Sequence, residues 1–302
     1  MADSPAADVV ITEDLVRTLL RNANLDGAED PLALAFAGWD NEMWRLGTTR
    51  AVRLPRREIA VPLISHEQLV LPRIAKLLRP TGVQVPEPLA ALPASEPFAR
   101  PWSVVPWFAG SAALHQPRAA RTAWAAHFAE ALALLHVPAD DDAPLNPVRG
   151  QSLQTRDQAM RARMASASFP AAIAHAWADA LAAPAWPHVP VWVHGDLHPG
   201  NIVVGNDRLV ALVDFGDVTA GDPAYDLAAA WIVFDADGRE EFIRASPHVD
   251  DATWVRARGW AAAIAVTLTV ASDDRPDYAA LATETIGEIL IEKQAQDPSA
   301  TP

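Results

Sequence analysis

Near residue 110 the period of the apolar residues changes, and this limits the folds open to the chain. Before that point "LALAFAG", "NEMWRLG" and "RAVRLPR" predict three strands in an antiparallel meander, with turns at Gly38 and around Gly47 to Thr49. An amphipathic helix over "TEDLVRTLLRNA" (12–23) precedes them behind a Thr cap. A helix over "ISHEQLVLPRIAKLL" (64–78) follows in spite of Pro72, and "PWSVVPWF" (101–108) predicts one more strand. Beyond Ala112 the spacing is helical in "RTAWAAHFAEALALLH", "TRDQAMRARMA", "PAYDLAAAWIVF", "DATWVRARGWAAAIAVTLTVA" and "YAALATETIGEILIEKQA". That half is broken once, by "VPVWVHGDLHPGNIVVGNDRLVALVDFGD", where short strands flank polar loops. Strands followed by helices, with no strict alternation of the two, predict an α+β chain. Its expected domains are 1–108, built on a small antiparallel sheet, and 109–302, mainly helical; 302 residues suit two domains of roughly 150 each.

Composition narrows the chemistry. With no cysteine there is no disulfide and no thiolate zinc site. The segment "MADSPAADVV" lacks a basic and then apolar leader, and "GWAAAIAVTLTVA" is shorter than the roughly 20 residues of a membrane span. A soluble, cytoplasmic protein is expected, as a monomer or weak dimer. Net charge is −14, with 11 basic and 13 acidic residues in 1–108 against 13 and 25 in 109–302. Such a balance argues against nucleic acid or an anionic membrane as partner. The acidic second half suits a cationic small molecule, or is simply a set of solvated helix faces that keep the chain soluble.

The interrupting segment carries the reactive groups. "VHGDLHPGNIVV" (193–204) sets Asp196 and Asn201 five residues apart on a Pro-Gly loop, and "LVDFGD" places Asp214 at the next strand end. Loops at strand ends hold polar groups on a rigid support. Asn and Asp oxygens are hard ligands suited to Mg²⁺, which binds through one or two protein oxygens plus substrate phosphates. With Asn201 and Asp214 on the metal, Asp196 is free to take a proton from a hydroxyl nucleophile, a division of labour that belongs to phosphoryl transfer. His194, Asp196 and His198 also form His-x-Asp-x-His, as in a hydrolytic metal site. Such a site needs further imidazole or carboxylate ligands, and the other histidines are scattered singly.

The spacing His194-x-Asp196-x-x-x-x-Asn201 with Asp214-Phe-Gly matches the protein-kinase catalytic and metal-binding motifs. In the form "HGDLHPGN…DFGD…GDPAYDLA" the chain resembles the aminoglycoside phosphotransferase family of small-molecule kinases. The resemblance implies a bilobal kinase-like fold, ATP or GTP with Mg²⁺ as cofactors, and a small-molecule acceptor. It makes Asp196 the catalytic base and Asn201 and Asp214 the metal ligands. Pro106, Trp107 and Phe108 become the hinge that meets the adenine edge, while Asp222 and Asp226 become structural. The strand lysine of that pattern is missing, since the two lysines are Lys76 and Lys293. Arg53 is the substitute, with Glu67 as its ion-pair partner, although Arg and Lys differ in geometry. The phosphate-covering loop has Gly38 alone in place of three glycines, so Asn41 and the backbone near Asp40 take over the phosphate contacts. For a polycationic acceptor, "FDADGREE" offers Asp235, Asp237, Glu240 and Glu241, and the acidity of the helical half tips the expectation towards an aminoglycoside; a macrolide, which would want apolar walls, or a metabolite is the alternative acceptor. The helical tryptophans 124, 177, 231, 254 and 260 are expected in the core. The missing lysine also motivates a different reading, a nucleotide-binding regulator without transfer activity.

Overall fold

The computed structural model describes residues 6–272 and 275–296. The described residues fall into two compact units, one drawn from 6–109 with 211–216, the other from 110–210 with the described residues from 217 onward.

In the first unit, helix α1 (Glu13–Asn22) starts where the Thr12 hydroxyl accepts a hydrogen bond from Leu15 N, meeting one orphan donor of the first turn. Its face of Val16, Leu19 and Leu20 is buried. Strands β1 (Leu32–Ala37), β2 (Asn41–Leu46) and β3 (Arg50–Pro55) form the meander. Helix α2 (Val61–Leu78) follows, with Pro72 inside it. Strands β4 (Ala90–Leu92) and β5 (Trp102–Pro106) then complete an antiparallel sheet in the order β1-β2-β3-β5-β4. One core cluster joins α1 to the sheet through Leu19, Leu20, Trp44, Leu46, Val52, Leu54, Trp102 and others. On α2 the buried stripe is Ile64, Glu67, Val70, Leu71, Ile74 and Leu78. A carboxylate in such a stripe requires a partner. The excursion 211–216 rejoins this unit through Leu212 N, which donates to Gln84 O at 2.9 Å.

The second unit begins with β6 (Ser111–Ala112), α3 (Arg118–Arg121), α4 (Ala125–Leu135), α5 (Asp157–Ser166) and α6 (Ala171–Ala182). Next come β7 (Val191–Val193), β8 (Ile202–Gly205), β9 (Arg208–Leu212) and β10 (Thr219–Gly221). Helices α7 (Ala224–Leu227), α8 (Ala229–Ile232), α9 (Ala236–Arg244), α10 (Asp251–Ala271) and α11 (Pro276–Gln296) close it. Between β8 and β9, Asn206 and Asp207 both take positive φ, the conformation of a two-residue hairpin turn. Trp124, Phe128, Phe234 and Phe242 pack with ring centroids 5.1–6.1 Å apart. Trp124, Trp177, Trp231 and Trp260 are buried, and Trp254 is half-buried.

Several elements differ from expectation, among them the unforeseen short strands β4, β6 and β10 and the short helix α3. Helix α6 was not anticipated: its buried face, Ala172, Ile173, Ala176, Trp177 and Ala180, has helical spacing, but alanine on both faces erases the polar contrast. The segment "PAYDLAAAWIVF" forms two short helices in place of one. Residues 236–244, read only for their acids, form α9. Among the described residues no helix is long and apolar enough to cross a membrane.

Candidate active site

Strand β7 delivers the chain into a tight turn at His194 and Gly195. Gly195 has φ +84°, and a Cβ there would overlap the carbonyl of Asp217, so only glycine fits. Beneath the turn Asp226 is fully buried. It accepts from His194 N at 2.7 Å and Gly195 N at 3.0 Å, and its Oδ2 lies 3.2 Å from His136 Nε2. Two backbone donors that strand pairing leaves over are thus satisfied by one carboxylate. Asp196 N donates to His194 Nδ1 at 3.2 Å, and Asn201 Nδ2 donates to Asp196 O at 2.9 Å and Oδ2 at 3.3 Å. His198 Nδ1 accepts from Gly200 N at 3.0 Å. The proton therefore sits on Nε2, 3.5 Å from Asp196 Oδ2.

Asp196 has a second neighbour from a distant segment. Arg149 Nη2 lies 3.2 Å from Asp196 Oδ1 and 3.4 Å from Asp217 Oδ2, and its Nη1 donates to the Tyr225 hydroxyl at 2.5 Å. Tyr225 in turn packs on Trp260 of α10 at 4.8 Å. Burial works to raise the Asp196 pKa, but the Arg149 guanidinium outweighs it, helped by His198 and His194, and holds the carboxyl well below the usual range. Arg149 is likewise raised: burial opposes its charge, and Tyr225, Asp196 and Asp217 overcome that. The site is an ionised carboxylate poised at a turn that buried groups hold in place.

In the first unit Arg53, on central strand β3, is buried between two acids. Its Nε lies 2.8 Å from Glu67 Oε2, and its Nη2 donates to Asp214 Oδ1 at 2.8 Å. Burial lifts the Glu67 pKa to about 7, with Arg53 pulling against it. Burial also disfavours the Arg53 charge, but Glu67 and Asp214 more than compensate and raise its pKa. Asp214 is half exposed and has φ +64°, a strained conformation of the kind that gathers at functional sites.

A model of APH, the phosphotransferase enzyme family, matches residues 32–260. The chain belongs to that family. Its kinase-like fold is shared by solved structures. The GDP and kanamycin complex of APH(2")-IIia aligns at 16% identity over 87% of this chain and 93% of that one, with a TM-score of 0.66. The apoenzyme of macrolide 2'-phosphotransferase MphH from Brachybacterium faecium gives 21%, 91%, 98% and 0.65. The GDP complex of wild-type aminoglycoside 2'-phosphotransferase-IIIa gives 14%, 91%, 97% and 0.68. No curated protein sequence matches the chain.

Within this phosphotransferase the structure brings Asp196 and Asn201 together, and separately Arg53, Glu67 and Asp214. His194 and His198 serve the turn itself, and among the described residues no group of three or more His, Cys, Asp or Glu could hold a metal ion. Asn201 directs its amide N–H groups at Asp196, which turns its carbonyl oxygen elsewhere. Asp214 keeps a half-exposed carboxylate. Each side chain by itself offers a hard oxygen of the kind that Mg²⁺ takes.

The remaining predicted residues are placed as follows. The Asn41 amide oxygen is buried without a hydrogen-bond partner among the described residues. Pro106 ends β5, Trp107 N donates to Thr49 O at 2.8 Å, and Phe108 is half-buried. Asp235 caps α9 through Gly238 N at 3.0 Å, and Glu241 is ion-paired with Arg244. Asp237 and Glu240 are exposed on that helix. Asp222 accepts from Ala224 N at 2.9 Å and pairs with Arg256 at 2.7 Å. Sequence reasoning missed Arg149, Asp217, Tyr225 and His136. Arg149 lies 47 residues from Asp196, in a proline-rich connection with no motif around it.

Proposed function

We propose that this phosphotransferase is a kinase that uses ATP or GTP with Mg²⁺ and transfers the γ-phosphoryl group to a hydroxyl of a small antibiotic-like molecule. The observation that carries this reading is Asp196: an ionised carboxylate held on a turn by Asp226, Asn201 and Arg149. A pure nucleotide binder has no use for such a group. Asp196 accepts the acceptor hydroxyl's proton and orients its oxygen for in-line attack. Asn201 and Asp214 supply oxygen ligands for Mg²⁺, which when bound neutralises charge on the nucleotide's phosphates. Arg53, fixed by Glu67, offers its guanidinium to those phosphates, and the backbone of Pro106 to Phe108 takes the base. Support for a guanine or adenine nucleotide comes from solved relatives of this fold that hold GDP or ADP.

For the acceptor, aminoglycoside and macrolide are the two classes named among those relatives. Asp235 and Glu241 are engaged in capping and ion pairing, while Asp237 and Glu240 stay exposed on α9, so the acidic helix supports either class of acceptor. The test is nucleotide consumption with ATP and GTP against aminoglycosides, macrolides and peptide antibiotics. Turnover with one class should fall at least 100-fold in Asp196→Asn, within the usual range for losing a general base, while nucleotide affinity is retained. Near-normal transfer by Asp196→Asn would refute the assignment.

A further inference from the structure

The loop that carries Arg149 has no regular structure, yet it is fixed without the arginine's help. Asn146 Oδ1 accepts from Val148 N at 2.9 Å and Arg149 N at 3.0 Å. Asn146 N donates to Thr219 Oγ1 at 3.0 Å, Asn146 Nδ2 donates to Asp217 Oδ1 at 2.7 Å, and Gln151 Nε2 returns to Asn146 O at 2.7 Å. Asp222 N donates to Gly150 O at 3.2 Å, and a Cβ on Gly221 would collide with the Gly150 backbone. Segment and strand β10 therefore meet backbone to backbone.

The guanidinium is thus free for another task, and its partners show which. Nη1 is held by the Tyr225 hydroxyl, whose ring is wedged on Trp260, and Nη2 sits between Asp217 and Asp196. A planar fork held on one side presents its other donors in a fixed direction. Asp196 Oδ1 lies 3.2 Å from this charge, and Oδ2 is flanked by Asn201 Nδ2 at 3.3 Å and His198 Nε2 at 3.5 Å, so the carboxylate is held from both sides.

Resting on the kinase reading above, we propose that Arg149 is the positioning residue of the catalytic base: it grips Asp196 through Oδ1 and so fixes the orientation in which the carboxylate meets the acceptor hydroxyl. The acceptor O–H bond breaks with its proton passing to the Asp196 carboxylate. The acceptor oxygen bonds to the γ-phosphorus as that phosphorus leaves its bridging oxygen, and a nucleoside diphosphate departs.

The test compares wild type, Arg149→Met, Arg149→Lys and Arg149→Ala, with Asp196→Asn as the blank. Crystal structures of wild type and Arg149→Met need no substrate, and the Asp196 carboxylate should rotate away from its wild-type orientation in the variant. With erythromycin, kanamycin and water as acceptors, kcat of Arg149→Met should fall about 100-fold, as expected for a misplaced reactive group, with nucleotide KM unchanged. Arg149→Lys should recover part of the loss. Guanidinium chloride, well below denaturing concentrations, should restore Arg149→Ala where sodium chloride does not. An unmoved Asp196 in Arg149→Met would overturn the proposal, as would a loss confined to acceptor KM, which would make Arg149 a substrate contact. If Asp196→Asn keeps its activity, or wild type turns over nothing, the kinase reading fails instead, and the crystal comparison still decides whether Arg149 positions Asp196.

Discussion

At Gly195 the backbone takes φ +84° with the Asp217 carbonyl where a side chain would begin. Alanine there meets both a left-handed strain and a backbone clash. Gly195→Ala should cost about 1–3 kcal/mol of stability, the usual range for such strain, and reduce turnover at least tenfold by displacing Asp196. Thermal unfolding and the transfer assay check the two parts. Asp196, Asn201 and Asp214 could be picked out of the sequence as candidates because they lie within 19 residues and keep a recognisable spacing. Arg53 could be chosen only as the basic residue on the right strand. Its partner Glu67 had a signal of its own, a carboxylate on the buried stripe of α2. Arg149 had none, because what sets it apart is a contact made across 47 residues by a loop whose anchors, Asn146 and Thr219, look like ordinary turn and strand residues.

Helix α10 packs against α5, α6, α7, α8 and α11, so its first turn bears on the whole helical unit. Asp250 caps it, Oδ1 accepting from Thr253 N at 2.7 Å, and hydrogen bonding from Thr253 lowers the carboxyl's pKa. A depressed folded pKa contributes stability that is present above the unfolded value, about 3.9, and is lost as pH falls through the folded one. Asp250→Ala should therefore cost about 1 kcal/mol near neutrality. The gap to wild type should hold down to about pH 5 and narrow below about pH 4, measured by urea unfolding at each pH. Strands and amphipathic helices were visible from periodicity. Alanine-rich α6 and polar α9 were not, since neither presents a sharp boundary between an apolar and a polar face.

For the chain as a whole, residues 211–216 leave the helical unit and join the sheet unit. A fragment of residues 1–109 therefore lacks the Leu212 bond to Gln84, and it leaves buried Arg53 without Asp214. Such a fragment should show poor NMR dispersion and no cooperative melt; a sharp transition like that of the intact protein would contradict this. Hydrophobic patterning carries no sign of this return, because six residues are too few to carry a period. The buried carboxylate of Asp226 has a further consequence. One side chain on α7 is tied to two backbone amides of the catalytic turn and to an imidazole at the end of α4. Freeing the turn would strand a charge inside the helical unit, so the turn has no cheap local opening of its own. Amide hydrogens of the His194–Gly195 turn should therefore exchange at the pace of α7 and the end of α4, and a much faster exchange at the turn alone would contradict this.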